Sequence, residues 1–373
     1  MNGLRLFRQV ASQPYQYCHQ LKQEKSQKIL GYFCSYTPEE LIYAAGALPF
    51  RIFGSEANLQ HADAHLQAYC CSMARSGLEA GLSGQLNFLD GVIFPHTCDT
   101  MQRLSDIWRL NAGFPLHFDI VLPIKLDSAS AFHYLHDIFL NFKDELERKL
   151  DCEITEEKLT ATIRLYNQIR RRMEELYRLR SQNPELISGS DVYAIMRAAT
   201  VMDRGQFCDL LMDLLPHLKH ERSAYQQRHK KRILLTGGVC NYPDIYSIVE
   251  DAGGAVVWDD LCTGSRWFNG LIDEKAAPIE AIARRYFERV ICPTKHRNNI
   301  DRAQHLVALA KQQKIHGVIF LLLKFCDPHA FDYPYLKYYL DKQGIPNMLL
   351  EIEDQIAAIG QLRTRLEAFL EMI

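Results

Sequence analysis

The 373-residue chain contains no Cys-x-x-Cys pair, which disfavours zinc ribbons, RING-type sites, thioredoxin-like redox chemistry and ferredoxin clusters held by one local run. It has no charge excess of either sign. Its 43 Lys and Arg stand against 45 Asp and Glu, a net charge of −2, and such a balance advertises neither a nucleic-acid nor an anionic-membrane partner. Long apolar runs are also missing: the longest, residues 317–323, is about a third of the ~20 residues that cross a bilayer. The first twenty residues interleave apolar positions with Arg and Gln and have no apolar core, so no secretory signal is read there and a cytoplasmic location is expected. There is no Gly-x-Ser-x-Gly elbow to support a serine hydrolase. The loop Thr236–Gly237–Gly238–Val239–Cys240 follows a predicted strand but matches neither GxGxxG nor GxxxxGK[ST], so a nucleotide site is not expected.

What the chain does have is cysteine. Eleven of them, an odd number in a chain too long to need disulfide staples, point to thiols or metal ligands kept in a reducing compartment. Hydrophobic residues at 47% and charged residues at 24% describe an ordinary globular protein. At roughly 150 residues per domain, the length predicts two core-bearing domains and an accessory segment.

Residues 31–54, GYFCSYTPEELIYAAGALPFRIFG, open with a strand-like run and then start a helix. Thr37 and Glu40 form a capping box there, with Pro38 at the first helical position. A strand over 48–52, helical spacing over 68–82, an apolar run at 91–94, a helix near 100–110 and a strand near 117–122 follow. Strands alternating with helices predict βαβ units on a parallel sheet. From 129 to 228 the strands disappear; Leu159, Ile163, Tyr166, Ile169, Met173, Leu176 and Leu179 recur at spacings of three and four, a helical stripe closed by Asn183–Pro184. A second α/β stretch has predicted strands at 232–235, 255–258, 317–323 and 347–350 and a closing helix over 355–372. The sequence therefore divides into an N-terminal helical segment (1–30), a first α/β domain (31–128), a helical segment (129–228) and a second α/β domain (229–373), a fold of doubly wound parallel sheets with helical additions.

The two halves echo each other. Residues 90–99 read DGVIFPHTCD and residues 316–327 read HGVIFLLLKFCD. Gly-Val-Ile-Phe alone is what any buried parallel strand favours, but the trailing Cys-Asp is harder to explain by composition. Ligands of open α/β sheets gather at the carboxyl ends of strands, where Cys98 and Cys326 both fall. Cys70 or Cys71, opening a helix, supplies a candidate third thiol, and three thiolates hold an iron–sulfur cluster with one iron left open. The bland alternative for each is a small buried hydrophobe.

Residues 31–54, the 71–82 helix with Arg75, HTCDTMQRLSDIW (96–108), DDLCTGSRWF (259–268), ICPTKHRNN (291–299), KFCDPHAFDYP (324–334) and the closing IEDQIAAIGQLRTRLEAFLEM (352–372) resemble the 2-hydroxyacyl-CoA dehydratase and benzoyl-CoA reductase family, in order and across nearly the whole chain. The resemblance implies two flavodoxin-like domains with a [4Fe–4S] cluster between them, held at the positions of Cys71, Cys98 and Cys326, with Cys70 a packing residue. It implies an ATP-dependent iron–sulfur activator protein that donates single electrons at very low potential. It also implies an acyl-CoA substrate and a homologous second subunit, as a heterodimer or alternatively a homodimer. The implied activity is reductive dehydration of a 2-hydroxyacyl-CoA (a lyase) or ring reduction of benzoyl-CoA (an oxidoreductase), radical chemistry of anaerobic metabolism. The β-hydrogen of a 2-hydroxyacyl thioester is not adjacent to the carbonyl, so ordinary acid–base catalysis fails; one added electron gives a ketyl that expels the α-hydroxyl and acidifies that C–H. Some relatives carry a double-cubane [8Fe–9S] cluster, for which Cys262 and Cys292 are the additional candidates, one short of six unless Cys34 or Cys240 joins. The single cubane is the first expectation. The alternatives are a cluster-bearing electron-relay or scaffold subunit whose partner binds substrate, and a double-cubane reductase of small molecules.

The resemblance also suggests that Ser35 contacts the substrate thioester or its hydroxyl; a turn serine satisfying local backbone is equally expected. Glu39 and Glu40 read as first-turn carboxylates at the positive helix end. Arg75 lies one turn from Cys71, able to offset cluster charge or to form a surface ion pair. The run His229–Lys230–Lys231–Arg232 reads as a solvated boundary rather than a coenzyme A phosphate site, and Trp108, Trp267 and Phe268 as packing rather than acyl-pocket walls.

Overall fold

The computed structural model describes residues 2–54, 59–221, 230–239, 244–289, 292–297, 299–352 and 359–373. Cys240, His229, the 228/229 boundary, Ile291 and Asn298 of one family motif, and residues 353–358 of another lie outside the described residues.

The chain builds two four-stranded sheets, all parallel. The first contains β1 (Ile29–Tyr32), β2 (Leu48–Arg51), β3 (Gly91–Pro95) and β4 (Leu116–Ile120) in the order β2-β1-β3-β4. The second contains β5 (Lys231–Gly237), β6 (Gly254–Asp260), β7 (Gly317–Leu323) and β8 (Asn347–Ile352) in the order β6-β5-β7-β8. The two orders are the same, and each reverses direction at its first strand, the topology of a doubly wound flavodoxin-like domain. Helices cover both faces, which is why β1, β2, β3 and β7 are buried at every position and, apart from Arg51 at the end of β2, read as apolar runs. The repeated Gly-Val-Ile-Phe has a steric cause at its first residue. A Cβ on Gly91 would meet Leu116 at 2.5 Å, and one on Gly317 would meet Phe369 at 2.7 Å.

The central segment is helical: Ala129–Leu150, Glu156–Gln182, Gly189–Ala199 and Arg204–Glu221. The 27-residue helix is capped by Thr155, whose hydroxyl accepts from the Lys158 N–H, and it buries the whole predicted apolar stripe. That stripe is interrupted by polar residues reaching in opposite directions. Tyr166 and Arg170 bond Glu39 and Glu40 of the first lobe, while Tyr177 and Arg180 bond Asp259 and the Val256 carbonyl of the second. The helix is thus a strut between lobes. The N-terminal helices Asn2–Ser12 and Pro14–Lys25 pack on this segment, with Phe7 and Phe207 ring centroids 5.2 Å apart. Among the described residues no helix is long and apolar enough to cross a membrane.

Candidate metal centre

The carboxyl ends of the two sheets meet. Arg51, the last residue of β2, donates to the carbonyl of Cys262, just past β6, at 2.9 Å, and the Leu126 N–H donates to the His296 carbonyl at 2.8 Å. In this seam lies a cavity of about 950 Å³ whose lining includes Cys71, Cys98 and Cys326, within the roughly 300–1,000 Å³ of small-molecule sites. Each of the three immediately precedes a helix: Ser72–Leu82, Asp99–Asn111 and Asp327–Lys342. Three positive helix ends therefore converge on one space, an arrangement that favours an anionic occupant. Backbone N–H groups of Met101 and Thr100 face the Cys98 sulfur, and that of His329 faces the Cys326 sulfur. Burial nevertheless pushes the Cys98 thiol up to about 11, and burial with the neighbouring Cys71 and Cys98 pushes Cys326 well above its ordinary value. As bare groups they stay protonated; a bound metal is what turns such thiols into thiolates. Donor type, number and helix placement fit a three-cysteine iron–sulfur cluster. None of the described cysteines is in a disulfide.

Cys70 also borders the cavity, but its thiol points at Gln67 Oε1, 3.8 Å away. Arg75 forms an ion pair with Asp63 at 2.6 Å, the surface-pair reading. One turn further along the same helix, Glu79 fixes the segment leading to Cys71. Its Oε2 accepts from the Gln60, His61 and Ala62 N–H groups at 2.8–3.0 Å, and Oε1 lies 2.9 Å from His61 Nδ1. Burial alone would raise this carboxyl; those bonds overcome it and hold it at about 2. A depressed carboxyl contributes stability above its unfolded pKa and loses it as pH falls through the folded one. Glu79→Gln is therefore expected to cost about 2–3 kcal/mol at pH 7, with the gap to wild type closing between pH 5 and pH 2 in urea titrations; a gap independent of pH refutes this.

Ser35 is not on the cysteine cavity. It borders a separate chamber of about 10 Å³ among Tyr32, Glu39, Arg51, Arg170 and Arg289. Its hydroxyl accepts from Arg51 at 3.4 Å and its carbonyl from Arg289. The predicted capping box is absent: Pro38 precedes the helix Glu39–Ala44 without a side-chain cap bond. Instead Glu39 and Glu40 are buried and answer the arginines. Glu39 accepts from Tyr32 and Trp267 at 2.6 Å and from Arg204 at 2.8 Å. Trp267 is thereby occupied between lobes, Trp108 is buried in the first core, and Phe268 packs on Tyr177. The described basic run is spent internally: Arg232 on Ser181 and Gln313, Lys231 on the Ile373 carbonyl, Lys230 beside Glu185. Thr236 donates to Asp260.

Two features were not anticipated. The cavity rim is aromatic and solvent-facing, with Phe331 78%, Tyr69 68% and Tyr335 54% exposed; the i, i+4 spacing of Phe331 and Tyr335 after KFCDPHA was the available signal. Behind the cavity, Cys262, Cys292 and His329 bring their ligand atoms within 4.8 Å of one another, all buried. The Cys292 thiol, with Arg266 and His329, holds Cys262 well below its ordinary value, and Cys292 as the donor is pushed up. The three donors stand far apart in the sequence, so no local spacing announces this arrangement.

The profile of the 2-hydroxyglutaryl-CoA dehydratase D-component family matches residues 34–373. The chain is 28% identical over 368 residues to the (R)-phenyllactyl-CoA dehydratase beta subunit of Clostridium sporogenes, covering 98% of this chain and 97% of that one. It is equally identical to one of the benzoyl-CoA reductase subunits of Thauera aromatica (94% and 92% covered) and to the (R)-2-hydroxyglutaryl-CoA dehydratase beta subunit of Acidaminococcus fermentans (98% of each).

Proposed function

The chain belongs to the 2-hydroxyglutaryl-CoA dehydratase D-component family, an enzyme subunit of the 2-hydroxyacyl-CoA dehydratase and benzoyl-CoA reductase kind, and from that premise we propose that it is the iron–sulfur subunit of an ATP-activated radical enzyme acting on an acyl-CoA. Cys71, Cys98 and Cys326 would hold a single [4Fe–4S] cluster. When bound, that cluster supplies one-electron transfer and an open Lewis-acidic iron. The protein's part is positional. Two of the three helix starts aim N–H groups at the Cys98 and Cys326 sulfurs, while Phe331, Tyr335 and Tyr69 form the outer rim. The observation that carries the reading is the convergence of three cysteines from two lobes on one cavity. A homologous partner subunit, an iron–sulfur activator and a cytoplasmic, oxygen-poor setting complete the proposal.

One observation favours the relay version, in which the partner holds the substrate. The chamber beside Ser35 has room for about one water, and Arg51 and Arg289 donate to the hydroxyl and the carbonyl of that serine. No thioester enters it without rearrangement of those arginines, so Ser35 is proposed to act on substrate only if they move.

Anaerobic co-purification with the partner tests the proposal. About four irons and four sulfides per chain are expected; about eight selects the double cubane, and a folded, iron-free, colourless protein overturns both. Acyl-CoA binding to the isolated chain, set against the reconstituted pair, separates direct substrate binding from the relay version.

A further inference from the structure

We propose that Cys262, Cys292 and His329 form a second, mononuclear site for a borderline-soft divalent cation of the zinc class, distinct from the three-cysteine cavity. The donors come from three separate segments: just past β6, the loop after the helix Pro278–Glu288, and the first turn of the helix Asp327–Lys342. They are 3%, 3% and 7% exposed, and their ligand atoms lie within 4.8 Å of one another. Zn–S bonds of about 2.3 Å and Zn–N bonds of about 2.0 Å in a tetrahedron put ligand atoms roughly 3.5–3.8 Å apart, so a contraction of about 1.3 Å or less completes the geometry. Two sulfurs and an imidazole suit zinc better than a hard cation. None of the three lines the large cavity, and donors this close enclose space for one ion rather than for a cube of irons.

The surroundings point the same way. His329 Nε2 is buried with no hydrogen bond of good geometry, its ring beside the Cys262 thiol, a state native proteins avoid unless another group completes it. The ring sits against Gly238, where a Cβ would come within 3.4 Å of His329 Cδ2. Arg266, fixed on Asp260 at 2.7 and 2.8 Å, donates to the Cys262 sulfur at 3.4 Å, the kind of outer bond that orients a ligating thiolate. Lys295 is buried without a hydrogen-bond partner, its Nζ 6.0 Å from the Tyr36 ring centroid, and the thiols of Cys292, Cys34 and Cys98 are its electrostatic neighbours. Cys34, an electrostatic neighbour of both Cys262 and Cys292, lies outside the close trio and would have to move nearer to supply a fourth donor. Because His329 follows Cys326 by three residues, an ion here would also anchor the start of the helix that presents a cavity cysteine.

The test is element-specific. The full-length protein, purified anaerobically with its partner and dialysed against EDTA, is expected to retain about one zinc per chain, and the zinc K-edge spectrum to show two or three sulfurs and an imidazole. Cys292→Ser should lose the zinc and keep its iron; Cys98→Ser should do the reverse; His329→Cys should retain zinc with one more sulfur. Folded wild-type protein with less than about a tenth of a zinc per chain, zinc ringed by oxygen and nitrogen alone, a Cys262–Cys292 disulfide, or about eight irons with these donors on the larger cluster overturns the inference. The wild-type spectrum decides the matter even if Cys292→Ser does not fold. Zinc without iron leaves this site standing and sinks the cluster proposal; iron without zinc does the opposite.

Discussion

Cys98→Ser is expected to strip the chain of its iron, lowering bound iron and sulfide at least about tenfold and abolishing turnover with the partner and activator, while the circular-dichroism spectrum stays native. Cys98 is the last residue before the helix Asp99–Asn111, so the change replaces one atom at a helix start and leaves the β3 core untouched. A serine hydroxyl is a harder donor with a far higher pKa than a thiol, so it does not supply the soft anionic ligand that iron–sulfur centres require. With only three protein ligands proposed, losing one leaves two, and no carboxylate in the cavity replaces the softness of sulfur. Cys71→Ser and Cys326→Ser should behave alike. Cys70→Ser is the informative contrast: Cys70 borders the cavity, but its thiol bonds Gln67, so iron should remain within about a factor of two of wild type. Full iron retention in Cys98→Ser, or equal loss in Cys70→Ser, would show that the ligand set is misassigned.

Much of this site was legible because it depends on local rules repeated twice. A buried parallel strand, a glycine forced by close approach, then Cys-Asp opening a helix: residues 91–99 and 317–327 state this in sequence and fulfil it in space, including the placement of Cys98 and Cys326 at equivalent strand ends. The proposed third ligand was legible only as a choice between Cys70 and Cys71, and the family resemblance rather than the spacing selected Cys71. What stayed hidden depends on long-range partners. Thr37, Pro38 and Glu40 satisfy every local criterion for a capped helix, yet Glu40 is fully buried beside Arg170 and Arg285, which lie 130 and 245 positions away in the chain. Burial of that carboxylate outcompetes the cap, and no pattern within one turn announces it. The Cys262, Cys292 and His329 trio is hidden for the same reason: three segments with ordinary local patterns converge only once β6 and β7 flank β5.

Glu40→Gln is expected to be the most destabilising conservative change in the chain, costing about 3–5 kcal/mol. Glu40 is 0% exposed and shares its carboxylate between Arg170 and Arg285, with the Tyr286 hydroxyl donating to Oε2 at 3.3 Å. Arg285 Nη1 lies 3.9 Å from Oε1, and Arg289 is a third buried guanidinium on the same side. Burial, and then Arg170, already push Arg285 below the usual arginine range, so the cluster is short of negative charge even with Glu40 present. An amide of equal size keeps the packing but leaves two desolvated cations unbalanced, the situation in which breaking a buried pair costs more than the pair ever contributed. The effect should be visible as a lower urea midpoint. It should be partly relieved in the Glu40→Gln/Arg285→Met double variant, since removing the orphaned charge restores balance. The pH dependence has a definite sign. Burial would raise the Glu40 carboxyl, but Arg170 and Arg285 bring it below its ordinary value of 4.5. Its contribution is then complete above about pH 4.5 and fades as pH falls through the lower folded value, so wild type should approach Glu40→Gln in acid and stand furthest above it near neutrality. A loss under about 1 kcal/mol at pH 7, or a double variant no more stable than the single one, would mean that the arginines find other counter-charges and that the seam between the lobes is not held by this carboxylate.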